Sequence, residues 1–96
     1  MAKVSARGAH KVAGVRVDHP ADGNWRSRTR YVLRSDNKLL ESYQVACHYD
    51  GQSDYYGSAN YRIRGKVKTP DTFDLAAWAQ KQHPLSTITP DKDGWR

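Results

Sequence analysis

The clearest signal in the chain is alternation. From Trp25 to Arg34, the odd positions carry Trp25, Thr29, Tyr31 and Leu33, and the even ones carry Arg26, Arg28, Arg30 and Arg34. Side chains on a strand point to opposite faces with period two, so this segment predicts a strand with one apolar and one cationic face. Tyr61 to Lys68 repeats the pattern, with an apolar residue or Gly at every odd position and Arg62, Arg64, Lys66 and Lys68 at the even ones. Val15 and Val17 alternate with Arg16 and Asp18 in an earlier strand over about 14–19, which the turn residues His19 to Asn24 end.

Ser35, Asp36 and Asn37 read as a three-residue hairpin loop, a type I turn followed by a left-handed residue, for which Asn37 is suited. That loop length sets the register. It places Leu33 opposite Leu39 and Thr29 opposite Tyr43, and it collects Tyr31, Leu33, Leu39, Tyr43, Val45 and Cys47 on one face. A two-residue loop would mix Leu33 with Leu40 and Tyr31 with Ser42. The chosen register also puts Glu41 among apolar neighbours, which requires a sheet-margin position or a buried pair with a cation. Asp50 to Asp54 is a second turn region.

Helical spacing appears once with force. Thr69 is a candidate cap, Pro70 fits a first turn, and Asp71 and Asp74 suit the positive end of a helix dipole. Phe73, Leu75, Ala76 and Trp78 then recur at core spacing until His83 and Pro84 stop the run, predicting a helix over about 71–82. The segment from Ser5 to Ala13 has the pattern of a short N-terminal helix weakened by Gly8, and 85–89 that of a final edge strand. The fold class expected is α+β: an antiparallel sheet of about four to five strands with one helix packed on one face. Its 96 residues make a single domain, 1–96, with 90–96 as a loose C-terminal tail.

Composition changes this picture in one respect. Sixteen Lys and Arg against ten Asp and Glu give a formal charge of +6 and a pI near 9.7, which favours anionic partners. If the sheet is continuous, the even face gathers Arg16, Arg26, Arg28, Arg30, Arg34, Arg62, Arg64, Lys66 and Lys68, while most acids fall in turns or on the helix. Nine like charges on one face repel one another, and a purely structural face would intersperse acids among them. The function expected is therefore nucleic-acid binding, DNA or RNA, through these nine residues, with Val32 or Tyr56 offering contact to bases or sugars. The plainer account is a solvated charged face.

Other classes find less support. Cys47 is the single cysteine, which rules out an intramolecular disulfide scaffold, and Met1 to Gly14 contains no apolar run long enough for a signal or a membrane span. The expected location is cytoplasmic, without a membrane partner. His10, His19, His48 and His83 are scattered along the sequence, so no metal site is expected, and Cys47 and His48 would point to opposite faces of a strand. There is no Walker loop, dinucleotide fingerprint, HExxH or nucleophile elbow, and no cofactor is implied. The chain reads as a binding protein rather than an enzyme.

Two resemblances supply alternatives. Asn60-Tyr61-Arg62-Ile63-Arg64 resembles the late strand of small basic RelE-like ribonuclease toxins, which implies metal-independent RNA cleavage, although the helical hairpin those toxins place early is missing. Lys3 to Ala13 together with Tyr31 to Leu39 resembles small proteins encoded by phages of actinobacteria. That resemblance implies a setting in the host cytoplasm, in which such a protein binds nucleic acid or acts as an inhibitor or adaptor on a host protein.

Overall fold

The computed structural model describes residues 9–47 and 60–91. Five strands, β1 (Lys11–Asp18), β2 (Trp25–Arg34), β3 (Lys38–Cys47), β4 (Arg62–Lys66) and β5 (Thr87–Pro90), form one antiparallel sheet in the order β4-β3-β2-β1-β5. Among the described residues there is one helix, α1 (Leu75–Gln82), which lies between β4 and β5 in the chain. The α+β class expected from the pattern is the one found.

The β2–β3 hairpin fixes the rest. Asn37 has φ 73°, its backbone N–H donates to the Arg34 carbonyl at 3.1 Å, and the Lys38 N–H donates to the Asp36 side chain. The three-residue loop therefore closes as the alternation requires, and Leu33 lies opposite Leu39 and Thr29 opposite Tyr43. Odd positions of β1, β2 and β3 supply Val15, Val17, Tyr31, Leu33 and Leu39 to the core, which Leu75 and Ala79 of α1 complete from above. Phe73 and Trp78 pack at its margin, with the Trp78 ring edge-on to Tyr31 at 4.9 Å. Fully burying one such aliphatic side chain is worth about 1.5–3 kcal/mol.

Four assignments differ from the sequence expectation. Lys11 to Ala13, placed in a helix by their spacing, belong to β1, because Ser35 and His10 bond backbone to backbone at 2.8 Å and carry the ladder with β2 back to Lys11. The remainder of that expected helix up to Gly8, like the Asp50–Asp54 turn, lies outside the described residues. The helix begins at Leu75 rather than near Asp71. Thr69 cannot cap it, since the Thr69 and Thr72 hydroxyls bond each other and the Thr72 N–H closes a turn on the Thr69 carbonyl. Asp74 caps instead, accepting from the Ala77 N–H at 3.0 Å.

The fourth difference is at the C-terminal side. Pro90 is paired in β5 opposite Val15, and Asp91 donates its N–H to the Gly14 carbonyl while Lys11 Nζ donates to the Asp91 carbonyl at 2.6 Å. These two residues are therefore held, and the tail beyond them is not among the described residues. Gly14 makes the approach feasible: a Cβ there would sit 2.9 Å from the Asp91 carbonyl oxygen and 2.8 Å from Lys11 Cε.

Candidate nucleic-acid interface

The sheet face opposite α1 is where the cationic surface was expected, and most of its members are there. Arg26, Arg28, Arg30 and Arg34 of β2 and Arg16 of β1 occupy even positions, with Arg16 directly across from Arg30. Lys66 stands on the same face opposite Lys38, a cation the sequence expectation left out although its position just past the hairpin loop follows the same parity. Lys68 lies just beyond β4 and is exposed.

Arg62 and Arg64 are elsewhere. The β3–β4 ladder slips between Leu39 and Leu40, whose partners are Gly65 and Ile63, so Arg64 is an extra residue in the strand. Such a bulge reverses the parity of what precedes it. Ile63 is turned outward and is 59% exposed, while Arg62 and Arg64 reach Glu41 on the helix side. The alternation of apolar and cationic residues does not report this slip; the signal for it is Gly65 beside the extra residue, since an isolated glycine within a strand pattern often marks a bulge.

The outer face also differs in character from a solvated sheet. Val32, Leu40 and Ala46 are buried along its middle, as is Ser42. Val32 is fully buried and cannot touch a base or sugar, and Tyr56 falls outside the described residues. Several arginines have carboxylate partners: Arg16 Nε lies 3.0 Å from Asp18, Arg30 Nε 3.4 Å from Asp91 and Arg34 Nη2 2.6 Å from Asp36. The Arg30 and Arg34 side chains are only 30% and 20% exposed, so their stems lie along the sheet. Asp18 and Asp36 are two residues from the arginines they pair with, whereas Asp91, assigned to the C-terminal tail, comes back to Arg30 across a distance that linear spacing conceals.

What stays open is a smaller set. Arg26, Lys66 and Lys68 are exposed, Lys38 is partly so, and none of the four forms an ion pair among the described residues. Lys38 and Lys66 face each other directly, and like charges opposite one another destabilise a sheet by some tenths of a kcal/mol.

The helix side carries a polar cluster of its own. Glu41, with a side chain 14% exposed, accepts from Nε and Nη2 of Arg62 at 3.2 and 2.9 Å, and Arg64 Nε lies 3.9 Å away. Of the two explanations open for Glu41, pairing with a cation is the one realised. Arg64 also lies over the Trp78 ring at 5.6 Å. Nearby, Tyr31 shares a 2.8 Å hydrogen bond with His83, and His19 bonds Thr29 and Ser86. His19 and His83, 64 positions apart in sequence, stand with ring centroids 5.0 Å apart. Burial lowers the pKa of both below 6.5, with His83 lowering His19 further and Arg64 lowering His83. Burial, followed by Glu41, raises that of Tyr31.

No group of three or more metal-ligating side chains occurs among the described residues, and Cys47 is a free thiol. No helix among them is long and apolar enough to cross a membrane. No protein-family model, curated protein or solved structure matches this chain.

Proposed function

We propose that this protein binds nucleic acid through the outer face of its sheet, with Arg26, Lys38, Lys66 and Lys68 as the phosphate contacts and the ion-paired Arg16, Arg30 and Arg34 as the framework that holds them. The observation that carries this reading is the set of accessible cations for which the described residues provide no carboxylate, Arg26 and Lys38 on the β2–β3 hairpin and Lys66 and Lys68 on and just past β4 beside it. They are spread over a ten-residue strand length, roughly 30 Å at about 3.3 Å per residue, which suits several successive phosphates.

The test is binding of labelled nucleic acid across a salt series. Affinity is expected to fall log-linearly with salt, with a slope of about 0.9 per phosphate neutralised on duplex. The triple variant Arg26→Glu, Lys66→Glu, Lys68→Glu is expected to lose binding while melting no lower than wild type, since none of the three holds an ion pair among the described residues and Lys66→Glu removes the repulsion with Lys38. Binding that ignores salt, or none at low ionic strength, would overturn the proposal. Retention of a protein partner from nuclease-treated host lysate in place of nucleic acid would point to the inhibitor or adaptor alternative.

A further inference from the structure

The helix covers only part of the face it packs on. It lies against β1 and β5, and its Leu75, Trp78 and Ala79 side chains close over Tyr31, Leu33 and Leu39 of β2 and β3, whereas the far end of the same face on β2 and β3 lies outside that cluster. Two large aromatic side chains sit there half-exposed, Trp25 at 52% and Tyr43 at 53%. Both occupy odd positions, so they share the helix-side face, with Trp25 across from Cys47 and Tyr43 across from Thr29.

The bulge in β4 delivers a cation to the same surface. Arg62 is opposite Glu41, which is two residues from Tyr43 on the same face of β3, a separation of about 7 Å. Glu41 holds the Arg62 guanidinium through Nε and Nη2, yet the arginine side chain remains 80% exposed. Glu41 thus fixes one edge of the guanidinium and leaves the other toward solvent. Trp25 lies opposite Cys47, four residues or about 13 Å along β3 from Tyr43, so Arg62, Tyr43 and Trp25 present one positioned phosphate donor and two exposed aromatic rings spaced along the same face.

We infer that the Trp25–Tyr43 end of the helix-side face binds single-stranded nucleic acid, with unpaired bases stacking on Tyr43 and Trp25 and a backbone phosphate held by Arg62. Base-on-aromatic stacking is tolerant of sequence and demands bases not already stacked in a duplex, while an arginine beside the rings tracks the backbone. The outer face attracts polyanions of either kind, so this second surface supplies the preference for unpaired strands. The inference rests on the nucleic-acid reading for its ligand class but uses different residues on the opposite face.

Fluorescence anisotropy with labelled oligo-deoxythymidine, oligouridine and a duplex of equal total charge separates the two. Wild-type protein is expected to bind the single strands more tightly than the duplex. Tyr43→Ala and Trp25→Ala should each weaken single-strand binding about tenfold, with Tyr43→Phe retaining it, and leave duplex binding unchanged. Arg62→Ala should weaken single-strand binding and flatten its salt dependence by about one phosphate. Both aromatics are half-exposed, and a thermal melt of each variant confirms that the fold persists. Equal binding of single strand and duplex, or single-strand affinity indifferent to Tyr43 and Trp25, overturns this inference and leaves the outer-face proposal standing. Absence of binding to every probe removes both.

Discussion

On the helix side of the sheet, Val15, Val17, Tyr31, Leu33 and Leu39 are buried under α1, and charge is kept to one end, where Glu41 gathers Arg62 and Arg64. On the outer side, Val32, Leu40 and Ala46 are buried to a similar degree, but they lie on strands whose same-face neighbours include Arg30 and Arg34, each beside an aspartate. One face excludes water with a helix and separates its charges from its core. The other interleaves them. The difference shows that a positive face in sequence is not yet a positive face in solution: arginine stems close to a sheet are packing material as well as charge.

The comparison is broken most directly by cutting into each face. Leu33→Ala is expected to cost about 2–5 kcal/mol in a urea melt, as deletion of a fully buried leucine generally does. Val32→Ala should cost about 1.5 kcal/mol, two buried methylene equivalents, even though it lies on the face the alternation assigns to solvent. If Val32→Ala melts with wild type, the outer face is solvated after all.

A smaller effect sharpens the role of the arginines. A double-mutant cycle on Arg30→Ala and Asp91→Ala should give a coupling energy of up to about 1 kcal/mol, because the pair is only partly sheltered from solvent. The same cycle on Lys66 with Asp91 should give none. Equal coupling in the two cycles would abolish the distinction between framework and contact cations.

The smallest expected effect concerns pH. His19 and His83 have lower pKa values folded than unfolded, so the unfolded chain takes up more protons in acid. Stability is therefore full above about pH 6.5 and declines as pH falls through and below that value. Both rings are partly exposed, so the decline should be shallow, and His83→Gln should flatten it. A melting temperature that rises between pH 7.5 and 5.5 would contradict the assignment.

Much of this was legible in the sequence. Parity along Trp25–Arg34 and the Asn37 loop give the hairpin and its register, since a left-handed residue and a period of two are local properties. The helix was legible in its core positions and its stop at His83, and less so at its start, where Thr69 and Thr72 satisfy each other. The site was less accessible. Arg62 and Arg64 obey the same alternation as Lys66 and Lys68, yet a slip against β3 sends them to the opposite face. The pairing of Asp91 with Arg30, and of His19 with His83, joins segments that are distant along the chain, and no local pattern reports such contacts.

The pairing of β1 with β5 bears on how the molecule assembles. Val15 meets Pro90, and Asp91 bonds Gly14, so the sheet is completed by a contact between segments about as far apart as the described chain allows. The β2–β3 hairpin needs only a three-residue loop and is free to form early, whereas β1 waits for β5 before its far edge is sealed. Folding should accordingly show a fast phase in which the hairpin aromatics are ordered and a slower one in which β5 docks. During synthesis, Arg30 emerges from the ribosome well before the carboxylate that will hold it.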